Sequence, residues 1–119
     1  MRRLAISAIV LTTFGFAAPL PAVAQQNVVV GIYTCLSNCN PIGGAASVTQ
    51  TGDPSNPLKF KSEQGNETTG GFKNRTAVFA NGWAGGNCPV APATADIDVD
   101  NESGGVTLNW CTGSVWRKN

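Results

Sequence analysis

Trp83, Trp110 and Trp116 are the three tryptophans of the chain. With Tyr33, its single tyrosine, they are the side chains best suited to hold a sugar ring. An aromatic face packs on the apolar side of a pyranose, and neighbouring amides or carboxylates can hydrogen-bond its hydroxyls. Trp83 lies in a Gly- and Pro-rich loop, NGWAGGNCPVAP (81–92), between Gly82 and Ala84. Trp116 stands beside Arg117 near the end of the chain. Trp83, Trp116, Tyr33 and Arg117 are therefore the candidate ligand-binding set. Trp110 has the inward phase of its strand and is assigned to the core.

Other chemistries have less to work with. The chain has no histidine, which removes Ser-His-Asp and Cys-His catalysis and every His-based metal site. Glycoside hydrolysis needs only paired carboxylates, and Glu63 and Glu67 are close in sequence. Both flank a Gly-containing loop, whereas a catalytic acid normally needs an apolar setting to raise its pKa. Asp96, Asp98 and Asp100 alternate along DIDVD and form a weak surface-calcium candidate. They lack the glycine and the glutamate of an EF-hand loop, and a solvated strand face that resists edge pairing explains them as well. No metal and no cofactor are expected.

The elements that must carry these residues are short and β-like. Runs rich in Val, Ile, Thr and aromatics are separated by Gly, Pro, Asn and Asp, and no segment after the first 24 residues keeps a helical period. Strands are expected at 27–36, 47–51, 57–63, 71–80 (as one strand or a broken pair), 94–100, 106–110 and after 114. Leu58 and Phe60 face one way and Lys59 and Lys61 the other; Val106, Leu108 and Trp110 share an inward face. Short connections favour an antiparallel meander, giving an all-β barrel or sandwich of about six to eight strands. A two-residue loop at Thr112-Gly113 would set Trp110 opposite Val115 and Trp116 opposite Asn109. The two indoles would then lie on opposite faces and could not form one platform.

The N-terminus has the form of a secretory leader. Arg2 and Arg3 precede an apolar stretch from Leu4 to Ala18, then Pro19, Pro21 and the small residues Ala22-Val23-Ala24. Residues 1–24 are read as this leader and 25–119 as a single, monomeric, exported β domain. The whole-chain charge of +1 includes the two leader arginines, so no basic excess argues for nucleic acid. No later apolar run is long enough to span a bilayer. The four cysteines, Cys35, Cys39, Cys88 and Cys111, read as two disulfides in an exported domain of this size. If the first and last strands pair, Cys35 joins Cys111 and Cys39 joins Cys88. The main rival is a local Cys35–Cys39 loop with Cys88–Cys111.

The ending WCTGSVWR resembles that of small exported bacterial all-β proteins that close on a Trp, a Gly-containing turn, a second Trp and an Arg. The matching residues are Trp110, Gly113, Trp116 and Arg117. The YTC and SVTQTGD segments are similar to the opening strands of such proteins, and their meander resembles a small calycin-like barrel. The resemblance spans two or three hairpins and implies a fold and a compartment, not an activity. FKNRTAVFANG (72–82) is faintly similar to a βγ-crystallin-type segment of secreted protease inhibitors, without the rest of that motif. Tyr33-Thr34-Cys35 is similar to the start of periplasmic inhibitors of C-type lysozyme, without their inhibitory C-terminal segment. The expected function is a non-catalytic exported module that binds a glycan or a protein. The alternatives are a small glycan hydrolase using Asp or Glu and a structural envelope protein.

Overall fold

A computed structural model describes residues 22–119. Residues 1–21 of the expected leader (1–24) lie outside the described residues. A short helix, α1 (Ala22–Val29), precedes eight strands: β1 (Gly31–Ser37), β2 (Ala45–Gln50), β3 (Leu58–Lys61), β4 (Glu67–Asn74), β5 (Ala77–Ala80), β6 (Ala93–Val99), β7 (Val106–Trp110) and β8 (Val115–Lys118). Each strand pairs antiparallel with the next, and β8 returns to β1, so the meander closes into a barrel. Closure leaves no free strand edge.

Strand alternation fills the interior. Tyr33, Val48, Leu58, Phe60, Val78 and Leu108 are completely buried, and Trp110 and Trp116 join them. An eight-stranded barrel is just wide enough for side chains to fill it, so the middle of this one is a packed core. The outward phase is mostly polar, with Lys59, Lys61, Thr49, Asp96, Asp98 and Asn109 all exposed, although Ile32 and Leu36 also face outward on β1. That is the reverse of a lipid-facing barrel, which is apolar outside. Among the described residues no helix is long and apolar enough to cross a membrane.

Three local expectations differ from the structure. First, β1 begins at Gly31, four residues later than expected, because Asn27–Val29 complete α1. β-branched residues fit strands well, but tertiary packing overrides that preference here. The Val29 side chain is fully buried against the core. Tyr33 donates its hydroxyl to the Val29 carbonyl at 2.6 Å, and Lys118 Nζ donates to the Val28 carbonyl at 2.9 Å. The barrel thus supplies partners for carbonyls that a helix end leaves orphaned, and it places a cation where the helix dipole favours one.

Second, β4 starts at Glu67, between the strands expected at 57–63 and 71–80, whereas the 71–80 run is a broken pair, one of the two expected forms. Its turn is set by Asn74, whose Oδ1 accepts the Thr76 N–H at 2.8 Å, an Asx turn.

Third, the β7–β8 hairpin has a three-residue loop, Cys111 to Gly113. Trp110 N–H donates to Ser114 O and Gly113 N–H donates to Trp110 O, each at 2.9 Å. Gly113 sits at φ +100°, where a side chain would be strained, in the pattern of a turn closed by a left-handed glycine. Leu108 therefore faces Trp116 and Asn109 faces Val115. One residue of register moves a whole strand to the other face, so both tryptophans point inward.

Tyr33 carries a pH signature. Burial raises its phenol far above the usual value of 10.0. The folded chain holds the neutral form, so this contribution is complete below about pH 10 and is lost as pH rises further, while the unfolded chain ionises first. Tyr33→Phe is expected to cost about 1 kcal/mol at neutral pH, by stranding the Val29 carbonyl. It should also soften the alkaline fall in stability. Urea titrations at pH 7 and pH 10.5 read both effects, and an unchanged alkaline limb would refute the second.

Candidate functional site

The two barrel ends differ. α1, the loops at 51–57 and 100–105 and the turn at 75–76 cover one end. The loops at 38–44, 62–66, 81–92 and 111–114 surround the other. This second end holds a cavity of about 290 Å³, and all four of its loops contribute to the lining. A volume of this order sits at the lower limit for small-molecule sites.

Its floor is aromatic. Trp83, Trp110 and Trp116 all line the cavity. Ring centroids lie 5.1 Å apart for Trp110 and Trp116, 5.5 Å for Trp83 and Trp110, and 5.9 Å for Trp83 and Trp116. All three pairs meet edge to face, the arrangement favoured by ring quadrupoles. Phe60 lies beneath, 5.3 Å from Trp110, and Tyr33 lies 6.1 Å from Trp116. Trp110 and Trp116 are core residues whose rings also reach the mouth, whereas Trp83 is half-buried and comes from a loop. The indole nitrogens of Trp110 and Trp116 are buried with no hydrogen-bond partner among the described residues. Such groups cost stability and are uncommon in folded proteins.

The rim is polar. Asn38, Glu63, Gln64, Asn66, Thr112 and Ser114 stand around the tryptophans. Hydrogen bonds tie the loops to each other and to β4. Asn38 Nδ2 donates to Thr112 O at 2.9 Å, and Ser114 Oγ donates to Asn38 O at 3.0 Å. The Asn40 N–H donates to Glu63 Oε2 at 2.8 Å. The Asn87 N–H donates to Cys111 O at 2.9 Å, and the Gly82 N–H donates to Thr68 Oγ1 at 3.0 Å.

Both disulfides belong to this end. They are Cys35–Cys39 and Cys88–Cys111, not the strand-crossing pairs expected from barrel closure. β1 does pair with β8, but Cys35 stands opposite Trp116 in that ladder. Cys111 lies in the turn before β8, and its N–H donates to Thr94 O at the start of β6. It therefore meets Cys88 of the 81–92 loop, with Cα atoms 5.6 Å apart. Gly86 lets that loop lie flat on the turn: its φ is +54°, and a Cβ there would come 2.5 Å from Thr112 O. The loop that carries Trp83 is thus bonded covalently to the hairpin that carries Trp110 and Trp116.

The expected ligand set is divided by the fold. Trp83 and Trp116 come together at the mouth. Tyr33 is in the core, hydrogen-bonded to α1, and lies outside the cavity lining. Arg117 lies at the opposite end, beside Ser103, Gly104 and Gly105. Trp110, assigned to the core alone, also lines the cavity. Glu63 and Glu67 are separated: Glu63 is on the rim, and Glu67 pairs with Lys59 on the outer wall at 3.1 Å.

Asp96, Asp98 and Asp100 do not converge; no metal-holding group of three such residues occurs among the described residues. Asp96 and Asp98 lie on the exposed outer face of β6, while Asp100 closes the next turn. The Glu102 N–H donates to Asp100 at 2.9 Å and lowers its carboxyl pKa, helped by Ser103 and the charge of Arg117. No family model, curated protein or solved structure matches the chain.

Proposed function

We propose that this protein is an exported, monomeric, non-catalytic barrel that binds a saccharide at its mouth. The observation that carries the reading is the floor of three tryptophans under a rim of amides, hydroxyls and one carboxylate. A pyranose presents the matching surface, with apolar C–H groups on one face and hydroxyls around the edge. The cross-loop bonds support the reading because a site ordered in advance loses less freedom on binding.

Glu63 is the carboxylate in the lining, and Glu67 is engaged elsewhere. A glycosidase normally holds two carboxylates about 5–9.5 Å apart across the bond it cuts, so binding fits the mouth better than hydrolysis. Export rests on the leader form of residues 1–24 and agrees with two disulfides. The monomer reading is supported by closure, since the barrel offers no strand edge to a second copy.

Titration of the protein lacking residues 1–24 with saccharides, followed by tryptophan fluorescence and calorimetry, tests this. Trp83→Ala is expected to weaken binding by ~30-fold, the effect of a hot-spot aromatic worth about 2 kcal/mol. Its loss of stability should be smaller than that of either core tryptophan. Inhibition of a lysozyme with no response to any saccharide would replace the sugar by a protein ligand. Turnover of a polysaccharide that disappears in Glu63→Gln would overturn the non-catalytic reading.

A further inference from the structure

The charge of the mouth is unusually simple. Glu63 is the single charged residue in the four loops 38–44, 62–66, 81–92 and 111–114. The remaining charges lie elsewhere. Lys59, Lys61 and Glu67 are on the outer wall, and Arg117 is at the far end. Lys118 is engaged with the α1 carbonyls. No cation among the lining residues neutralises Glu63.

Its carboxylate is also fixed in place. Oε2 accepts the Asn40 N–H, which ties the side chain to the neighbouring loop and leaves Oε1 with no protein partner among the described contacts. The tryptophans add a second effect of the same sign. The faces of indole rings carry negative potential and attract cations. A partly desolvated mouth strengthens both effects relative to open water.

We infer that the mouth discriminates saccharides by charge, preferring one with a free ammonium group and rejecting one with a carboxylate, and that Glu63 is the residue that sets this preference. The inference rests on the saccharide reading above. An amino sugar offers both matching parts, a C–H face for the indoles and an ammonium group for Oε1. A uronic acid also has a pyranose ring but brings its charge against Glu63 and the ring faces. An N-acetylated sugar is neutral and falls between them.

The test compares three probes of similar size: a glucosamine trimer, an N-acetylglucosamine trimer and a trigalacturonate. Each is titrated into the protein at low and at physiological salt. The expected order is cationic, then neutral, then anionic, with roughly tenfold between the extremes at low salt, the sum of two modest charge effects. The gap should narrow as salt screens the charges.

In Glu63→Gln the amide oxygen can still accept the Asn40 N–H, so the loop contact survives. The ratio between cationic and anionic probes should nevertheless fall to within about threefold, the residue left by the rings. Glu63→Lys should invert the order. Unfolding midpoints of both variants establish that the barrel is intact. Equal binding of all three trimers by the wild-type protein would overturn the charge preference and leave the saccharide reading standing. An order unchanged in both variants would remove Glu63 as its cause. If no trimer binds, the saccharide reading itself fails.

Discussion

Trp116→Ala is expected to lower the free energy of unfolding by about 3–5 kcal/mol, the range for removing a large aromatic from a packed core. Trp116 is 2% exposed, and its ring contacts Tyr33, Trp83 and Trp110. β-barrel walls and three aromatic partners surround it, which limits how far the space can refill. Small domains have about 5–15 kcal/mol in total, so the variant would be near the limit of folding at 37 °C. Ligand binding should be lost with it, since the same ring forms part of the mouth. Guanidinium unfolding measures the change. A loss under about 1 kcal/mol would show that the ring is not packed as described. Trp116→Phe keeps a ring, removes the unpartnered N–H and should recover much of the stability.

Removing the Cys88–Cys111 bridge by changing both residues to serine is expected to cost about 3–3.5 kcal/mol. Removing Cys35–Cys39 in the same way should cost about 2 kcal/mol. The difference follows from the chain each bridge closes. The sequence separations are 23 and 4, and the entropy withheld from the unfolded chain grows with loop length. The functional contrast should be sharper. Cys88–Cys111 joins the loop bearing Trp83 to the hairpin bearing the other two indoles, so its loss should weaken saccharide binding severalfold, as ordering is then required on association. Cys35–Cys39 is local to the β1–β2 connection and should leave affinity closer to that of the parent. Peptide mapping without reduction checks the pairing itself; peptides joining Cys35 to Cys111 would contradict it.

Much of the barrel was legible in the chain. LKFK alternates cleanly, and Leu58 and Phe60 are buried while Lys59 and Lys61 are exposed. VTLNW points Val106, Leu108 and Trp110 inward as its pattern requires. The long loop at 81–92 was also visible from its glycines and prolines. Where the reading failed, a distant partner decided the outcome. Val28 and Val29 have strand-like side chains, but Tyr33 and Lys118 hold their carbonyls in a helix end. Thr68 and Thr69 lie in a turn-rich segment, yet they pair with Phe60 and Lys59 across β3.

The candidate site was legible only in pieces. Trp83 stood out because it occupies a loop. A single residue of hairpin register decides whether Trp110 and Trp116 share a face. A signal was present: glycine as the third residue of Cys-Thr-Gly marks a three-residue loop with a left-handed position. Tyr33 and Arg117 looked available because residue type and neighbours do not reveal which end of a barrel a side chain faces. Gln64, Asn66 and Asn38 had no distinguishing pattern at all. They matter only because the β3–β4 and β1–β2 loops come to the same rim.

The amino-acid sequence by itself determined the all-β class, the inward and outward faces of most strands, the oxidised state implied by four cysteines, and the absence of histidine chemistry. These properties are local or compositional, since alternation and residue type act within one strand or over the whole chain. The tertiary structure decided the cysteine pairing, the common face of the tryptophans and the isolation of Glu63 at the mouth. Each depends on which loops meet at which end of a closed barrel. That meeting is set by register and closure, summed over eight strands, and no single stretch of sequence encodes it.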